Sequence, residues 1–103
     1  MSKIKKLIIN TKINVLGYEY DIKPLVEDES QDTYGICDSR KQTIKIDPNL
    51  NGLTADDTIM HELVHAIDHT LSLGLNEATV HRLGYALGHL LRNNQHLVNY
   101  FKD

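Results

Sequence analysis

The 103 residues predict an α+β domain: a small antiparallel sheet followed by a main helix and a second helix packed on it. Three observations carry this. Up to residue 46 the apolar residues alternate with polar ones, the period of a half-buried strand. "DPNLNG" (47–52) then breaks the pattern with proline, asparagine and glycine. Beyond it Ile59, Leu63, Ile67 and Leu71 recur at helical spacing, and Val80, Leu83, Leu87 and Leu91 repeat it. A chain of this length holds one domain with a modest core, so residues 1–103 are read as a single unit.

Taken in order, "KIKKLIIN" is a strand candidate, with a short helix as the alternative. "KINVLGYEYDIKPLV" reads as a hairpin turning near Leu16 to Tyr18, with Gly17 at its centre. "VEDESQDT" is acidic and aperiodic, hence a solvated loop. "YGIC" and "TIKI" flank the polar turn "DSRKQ" as a second hairpin, with Ile44 and Ile46 on one face. Thr54 is read as the N-cap of the main helix, with Asp57 at its N3 position. Gly74 closes that helix and Asn76 opens the next. "RNN" (92–94) ends the second helix, and "QHLVNYF" forms a short third one.

Composition excludes several classes. Hydrophobic residues at 41% and charged residues at 24% are ordinary for a folded domain. A net charge of −3 argues against nucleic-acid binding by charge. The basic "MSKIKK" is followed by no apolar run of signal-peptide length, and no stretch approaches a membrane span. Cys37 has no second cysteine to pair with, which fits a reducing cytoplasm. Six histidines is a high count, and all lie between residues 61 and 96.

"HELVH" (61–65) is where the chemistry concentrates. Residues four apart share a helix face, so His61 and His65 can turn both imidazoles toward one ion. Glu62 is rotated by about 100° from His61. It stands beside a metal instead of on it, placed to act as a general base. Chance matches to so short a pattern are common. Here the motif falls on a helix, its two variable positions are apolar, and strands precede it. These features favour zinc (Zn2+) over two unligated histidines.

With hairpins ahead of "IMHELVHAIDH" and ligand-type residues opening the next helix, the chain resembles the zincin metallopeptidases. Within them it is most similar to very short phage and prophage proteins related to the ImmA/IrrE and SprT-like groups. The resemblance spans about residues 13 to 93, and "HELVH" is its specific part. It implies zinc, an active-site helix packed on a small sheet, and cleavage of peptide bonds in a cytoplasmic protein or peptide substrate.

The third ligand has two candidates. Glu77, in "NEATVH", is similar to the "NExxxD" of glutamate zincins, where the glutamate binds zinc. His81 matches the downstream histidine of SprT-like proteins. If the chain turns near Ser72 and runs back, counting equal helix lengths on either side sets His81 level with His65, with Glu77 above it. That counting favours His81, with Glu77 second. His69 lies a further turn of about 5.4 Å along the helix, beyond reach of the same ion. Asp68 is read as a supporting acceptor or simply exposed. Gly84 and Gly88 each cost about 1 kcal/mol relative to alanine inside a helix, which suggests a close approach of the two helices. Tyr85, a turn beyond His81, is the candidate donor to an oxyanion. Cys37 has no base partner and is read as an inert strand residue. "TIKID" is the strand expected to bind an extended substrate along its edge.

The expectation is therefore a zinc metallopeptidase with His61, His65 and His81 as ligands and Glu62 as base. The rivals are a non-catalytic zinc-binding interaction module and a metal-free interaction domain. The first draws on the small size of the chain, which leaves little material for a substrate cleft.

Overall fold

A computed structural model describes residues 8–26 and 33–102. Its elements are strands β1 (Lys12–Val15), β2 (Tyr18–Pro24), β3 (Gly35–Asp38) and β4 (Thr43–Ile46), then helices α1 (Gly52–Leu71), α2 (Glu77–Arg92) and α3 (Gln95–Lys102). The α+β class is as expected. Most of "KIKKLIIN" and of the acidic loop "VEDESQDT" lies outside the described residues.

Both hairpins form where the sequence suggests. Leu16 and Gly17 have φ of 53° and 95°, the paired positive values that a tight two-residue turn of the right twist needs. The Asn14 side chain accepts a hydrogen bond from the Gly17 N–H at 2.7 Å and closes the turn. At the second turn the Asp38 carboxylate accepts from the N–H groups of Arg40 and Lys41.

The sheet is not purely antiparallel. Its order is β1-β2-β4-β3, and β2 pairs with β4 in parallel, Ile22 beside Ile44 and Pro24 beside Ile46. The two hairpins are thus joined through their inner strands. "TIKI" is therefore central, with ladders to β2 and β3 on its two sides, and offers no edge to a substrate. The reason is apolar area. Ile22, Ile44 and Ile46 are fully buried and Tyr20 nearly so, and setting β2 against β4 gathers all four under α1. Each such side chain contributes roughly 1.5–3 kcal/mol by leaving water. In this sheet the edges are β1 and β3.

The main helix begins three residues earlier than a cap at Thr54 would allow. Asn51 is the N-cap, and its side chain accepts from the Thr54 N–H at 3.1 Å. Thr54 is thus the N3 residue. At the other end Ser72 takes a left-handed φ of 53°, and its own and the following N–H bond back to His69 and Asp68 carbonyls. The Asp68 carboxylate accepts from the Leu75 N–H, tying the connection to the helix it leaves. Asn76 then caps α2 through the Thr79 N–H at 2.8 Å, as expected. Both helix glycines mark a close approach: a Cβ on Gly84 would lie 3.0 Å from the His61 backbone nitrogen, and one on Gly88 would lie 3.2 Å from Met60 Cγ.

Candidate metal centre

His61, Glu62 and His65 sit mid-way along α1, where the helix is packed between α2 and the sheet. His61 Nε2 and His65 Nε2 lie 3.2 Å apart. Glu77, the first residue of α2, brings one carboxylate oxygen to 2.8 Å from His61 Nε2 and the other to 3.2 Å from His65 Nε2. These three residues form a group that can hold a metal ion.

Each ring can donate an Nε2–H to its own Glu77 oxygen, which sets two N–H groups side by side 3.2 Å apart. A cation among the three would instead take one lone pair from each residue. The spacings also suit one: bonds of about 2.0–2.1 Å at the tetrahedral angle set ligand atoms about 3.4 Å apart. Two imidazoles and one carboxylate are a donor set that zinc accepts while keeping a position open.

The structure brings Glu77, not His81, to the two histidines. The His81 ring is tilted at 6.1 Å between centroids from His61, and the residue is exposed. The face of α2 against α1 explains this. Its buried residues are Val80, Gly84 and Gly88. At about 100° per residue, Glu77 falls within about 20° of Gly84 around the helix, whereas His81 is about 60° away. Counting residues along the two helices neglected this rotation. The glycine stripe, visible in sequence, carried the better signal.

Glu62 is 7% exposed and is the buried charged residue of α1. Its carboxyl is pushed up to about 7, first by burial and then by the nearby charge of Glu77. Gly35 makes that burial possible, and the sequence reading did not single it out. A Cβ there would meet Thr58 Cγ2 at 2.8 Å and the Glu62 side chain at 3.1 Å, so only glycine lets the edge strand lie over the carboxylate.

Around this point the surface is concave. A cavity of about 690 Å³ runs along the C-terminal half of α1 beside β3, and a second of about 310 Å³ lies along the N-terminal half. His61, Glu62 and Gly35 line both. Cys37 lines the larger one, but burial pushes its thiol up to about 11, so it stays protonated and unreactive near neutrality. His69 also lines that cavity, outside the metal-holding group. Tyr85 is exposed, its ring 6.3 Å from that of His89, and it does not join the group. Among the described residues no helix is long and apolar enough to cross a membrane. Comparison with protein families, curated proteins and solved structures finds no match.

Proposed function

We propose that this chain is a zinc-dependent metallopeptidase in which His61, His65 and Glu77 hold the metal. The observation that carries the reading is the convergence of His61, His65 and Glu77 on one point, with the buried Glu62 carboxylate next in sequence to His61. Zinc, when bound, supplies the Lewis acidity that activates water and polarises a peptide carbonyl. Glu62 accepts the proton of the attacking water and returns it to the leaving amine nitrogen. Burial of Glu62 favours its neutral form, as suits a group that must hold the proton before returning it. β3 supplies the docking edge in place of "TIKID": among the described residues its one ladder partner is β4, which leaves its outer side to pair with an extended peptide. The single Cys37 fits a cytoplasmic setting.

A second reading, a zinc-binding interaction module without catalysis, draws on the openness of the site. The Glu77 side chain is 70% exposed, and Tyr85, the candidate oxyanion donor, lies against His89. One pair of measurements separates them. Purified protein should carry about one equivalent of zinc by elemental analysis, and His65→Ala should lose it. Glu62→Gln should keep the zinc while any peptidase activity drops by two to four orders of magnitude. Zinc retained in His65→Ala sinks both readings; a zinc-loaded protein that cleaves nothing in a proteome-derived peptide library leaves the interaction module.

A further inference from the structure

One flank of α2 carries a second apolar stripe. Leu83, Leu87 and Leu90 lie about 60–120° around the helix from Gly84, to one side of the face packed on α1. The same alternation of four-residue and three-residue steps runs on through Asn94, Leu97 and Phe101. That is the heptad spacing of a helix seam, with leucine at 83, 90 and 97. The break between α2 and α3 falls within it, at Asn94, whose side chain donates to the Leu90 carbonyl at 2.9 Å.

The described residues leave this seam open. Leu83 is 40% exposed, Leu90 46% and Phe101 76%, and α3 buries none of its residues. Tyr100 is also exposed, its ring set edge-on 5.1 Å from that of Phe101. An aromatic side chain offers about 150–250 Å², so the stripe as a whole presents on the order of 600 Å², the upper end of what a monomer surface shows. Two such stripes face to face would bury about 1,200 Å², the lower bound of a specific, stable interface.

The positions beside the seam decide what fits it. Ala86, Asn93 and Tyr100 stand on one side and Leu91 and Val98 on the other, none of them charged. In helix seams that select a different partner, these are the positions whose charges make the selection. A lipid surface would call for lysine and arginine there, and Arg82, Arg92 and Lys102 all stand elsewhere in the repeat. An uncharged seam does not repel its own copy, and a twofold axis lets one surface serve both sides. We propose that the flank of α2 and α3 running from Leu83 to Phe101 is the interface of a homodimer, seam against seam. Glu77, His81 and Tyr85 lie the other way around α2 from Gly84, so pairing leaves the metal centre open. The inference therefore stands apart from the peptidase reading.

Sedimentation velocity on the intact protein across a concentration series tests this. The wild type should show twice the chain mass, with a dissociation constant in the micromolar range or tighter. Leu90→Glu should raise that constant at least about 100-fold, because it sets a charge in the middle of the seam. Phe101→Ser should raise it about tenfold; its side chain is so exposed that the variant folds even if Leu90→Glu does not. Leu53→Ser alters an exposed leucine at the start of α1, away from the seam, and should leave the constant unchanged. Circular dichroism checks that each variant keeps its helices. A wild type that stays monomeric at millimolar concentration overturns the proposal, and one that is monomeric but floats with phosphatidylglycerol vesicles assigns the stripe to a membrane surface instead. A dimer untouched by both seam variants, or weakened equally by Leu53→Ser, overturns this flank as the interface.

Discussion

His61 and Glu77 meet across 2.8 Å, yet the chain holds them in opposite ways. His61 belongs to the middle of a twenty-residue helix, its backbone pressed against Gly84 and its side chain 20% exposed. Glu77 is the first residue of α2, with a side chain 70% exposed and its place set by the Asn76 cap and the Asp68–Leu75 tie. One side of the centre is thus fixed by packing and the other by a long side chain at a helix start. The arrangement combines a packed histidine pair with one exposed carboxylate. It also makes the two sides fail differently under mutation.

The largest contrast lies at the metal. Glu77→Ala should weaken zinc binding about 100-fold or more, since a third ligand is removed, while His81→Ala should change it less than threefold. A competition titration with a chromophoric chelator reads both. If His81→Ala proves the more damaging, α2 is rotated in the loaded protein and the glycine-stripe argument fails.

Next comes the packing that fixes His61. Gly84→Ala sets a Cβ against the His61 backbone, which cannot swing aside. A loss of about 1–3 kcal/mol is expected despite the better helix propensity of alanine. Zinc affinity should fall with it, because α2 carries Glu77 outward. Gly88→Ala meets only the flexible Met60 side chain, so it should be neutral or stabilising by up to about 1 kcal/mol. Denaturant midpoints decide; equal losses at both glycines would mean that the close approach at Gly84 does not hold the site.

That pair also shows what the sequence could and could not tell. Two glycines in one helix announced a close approach, and "HELVH" placed two imidazoles on one helix face with a carboxylate beside them, because both signals are local and periodic. Asn76, Gly17 and the end of α2 were legible for the same reason. The parallel pairing of β2 with β4 was not, since it joins segments about twenty residues apart and leaves no trace in either strand's alternation. Nor was the burial of Glu62, which depends on Gly35 from a different element. Tertiary contacts between distant segments decided each of these.

The pH dependence of stability isolates Glu62. Its pKa is raised from 4.5 to about 7, so the folded protein holds this proton more tightly than the unfolded chain does. Below about 4.5 the group is neutral in both states and destabilises nothing. Between 4.5 and 7 only the unfolded chain has lost the proton, so stability falls as pH rises, and above about 7 the full penalty is present. In metal-free protein the full drop attributable to Glu62 should be about 3 kcal/mol. Urea unfolding at pH 5 and pH 8 should show a steeper decline for wild type than for Glu62→Gln; parallel behaviour would mean the carboxyl is not desolvated.

The smallest effect lies at the start of α1, nearly three turns of helix from the centre. Asn51 and Thr54 are both good capping types three residues apart, and sequence favoured the wrong one. The choice was made by chain path: Leu50 is buried in the core cluster, so the turn into the helix must follow at once, and Asn51 is the next residue able to accept a hydrogen bond there. Asn51→Ala removes the acceptor for the Thr54 N–H and should cost about 1 kcal/mol, near 4 °C in melting temperature for a domain of this size. Thr54→Ala loses no cap and should stay within about 0.5 kcal/mol. Neither should alter zinc affinity in the folded protein, because His61 is positioned by Gly84 and not by the first turn of the helix. A loss of zinc affinity in Asn51→Ala at a temperature where the fold is intact would show that the rigid side of the site extends to the helix start, and the contrast drawn between His61 and Glu77 would narrow accordingly.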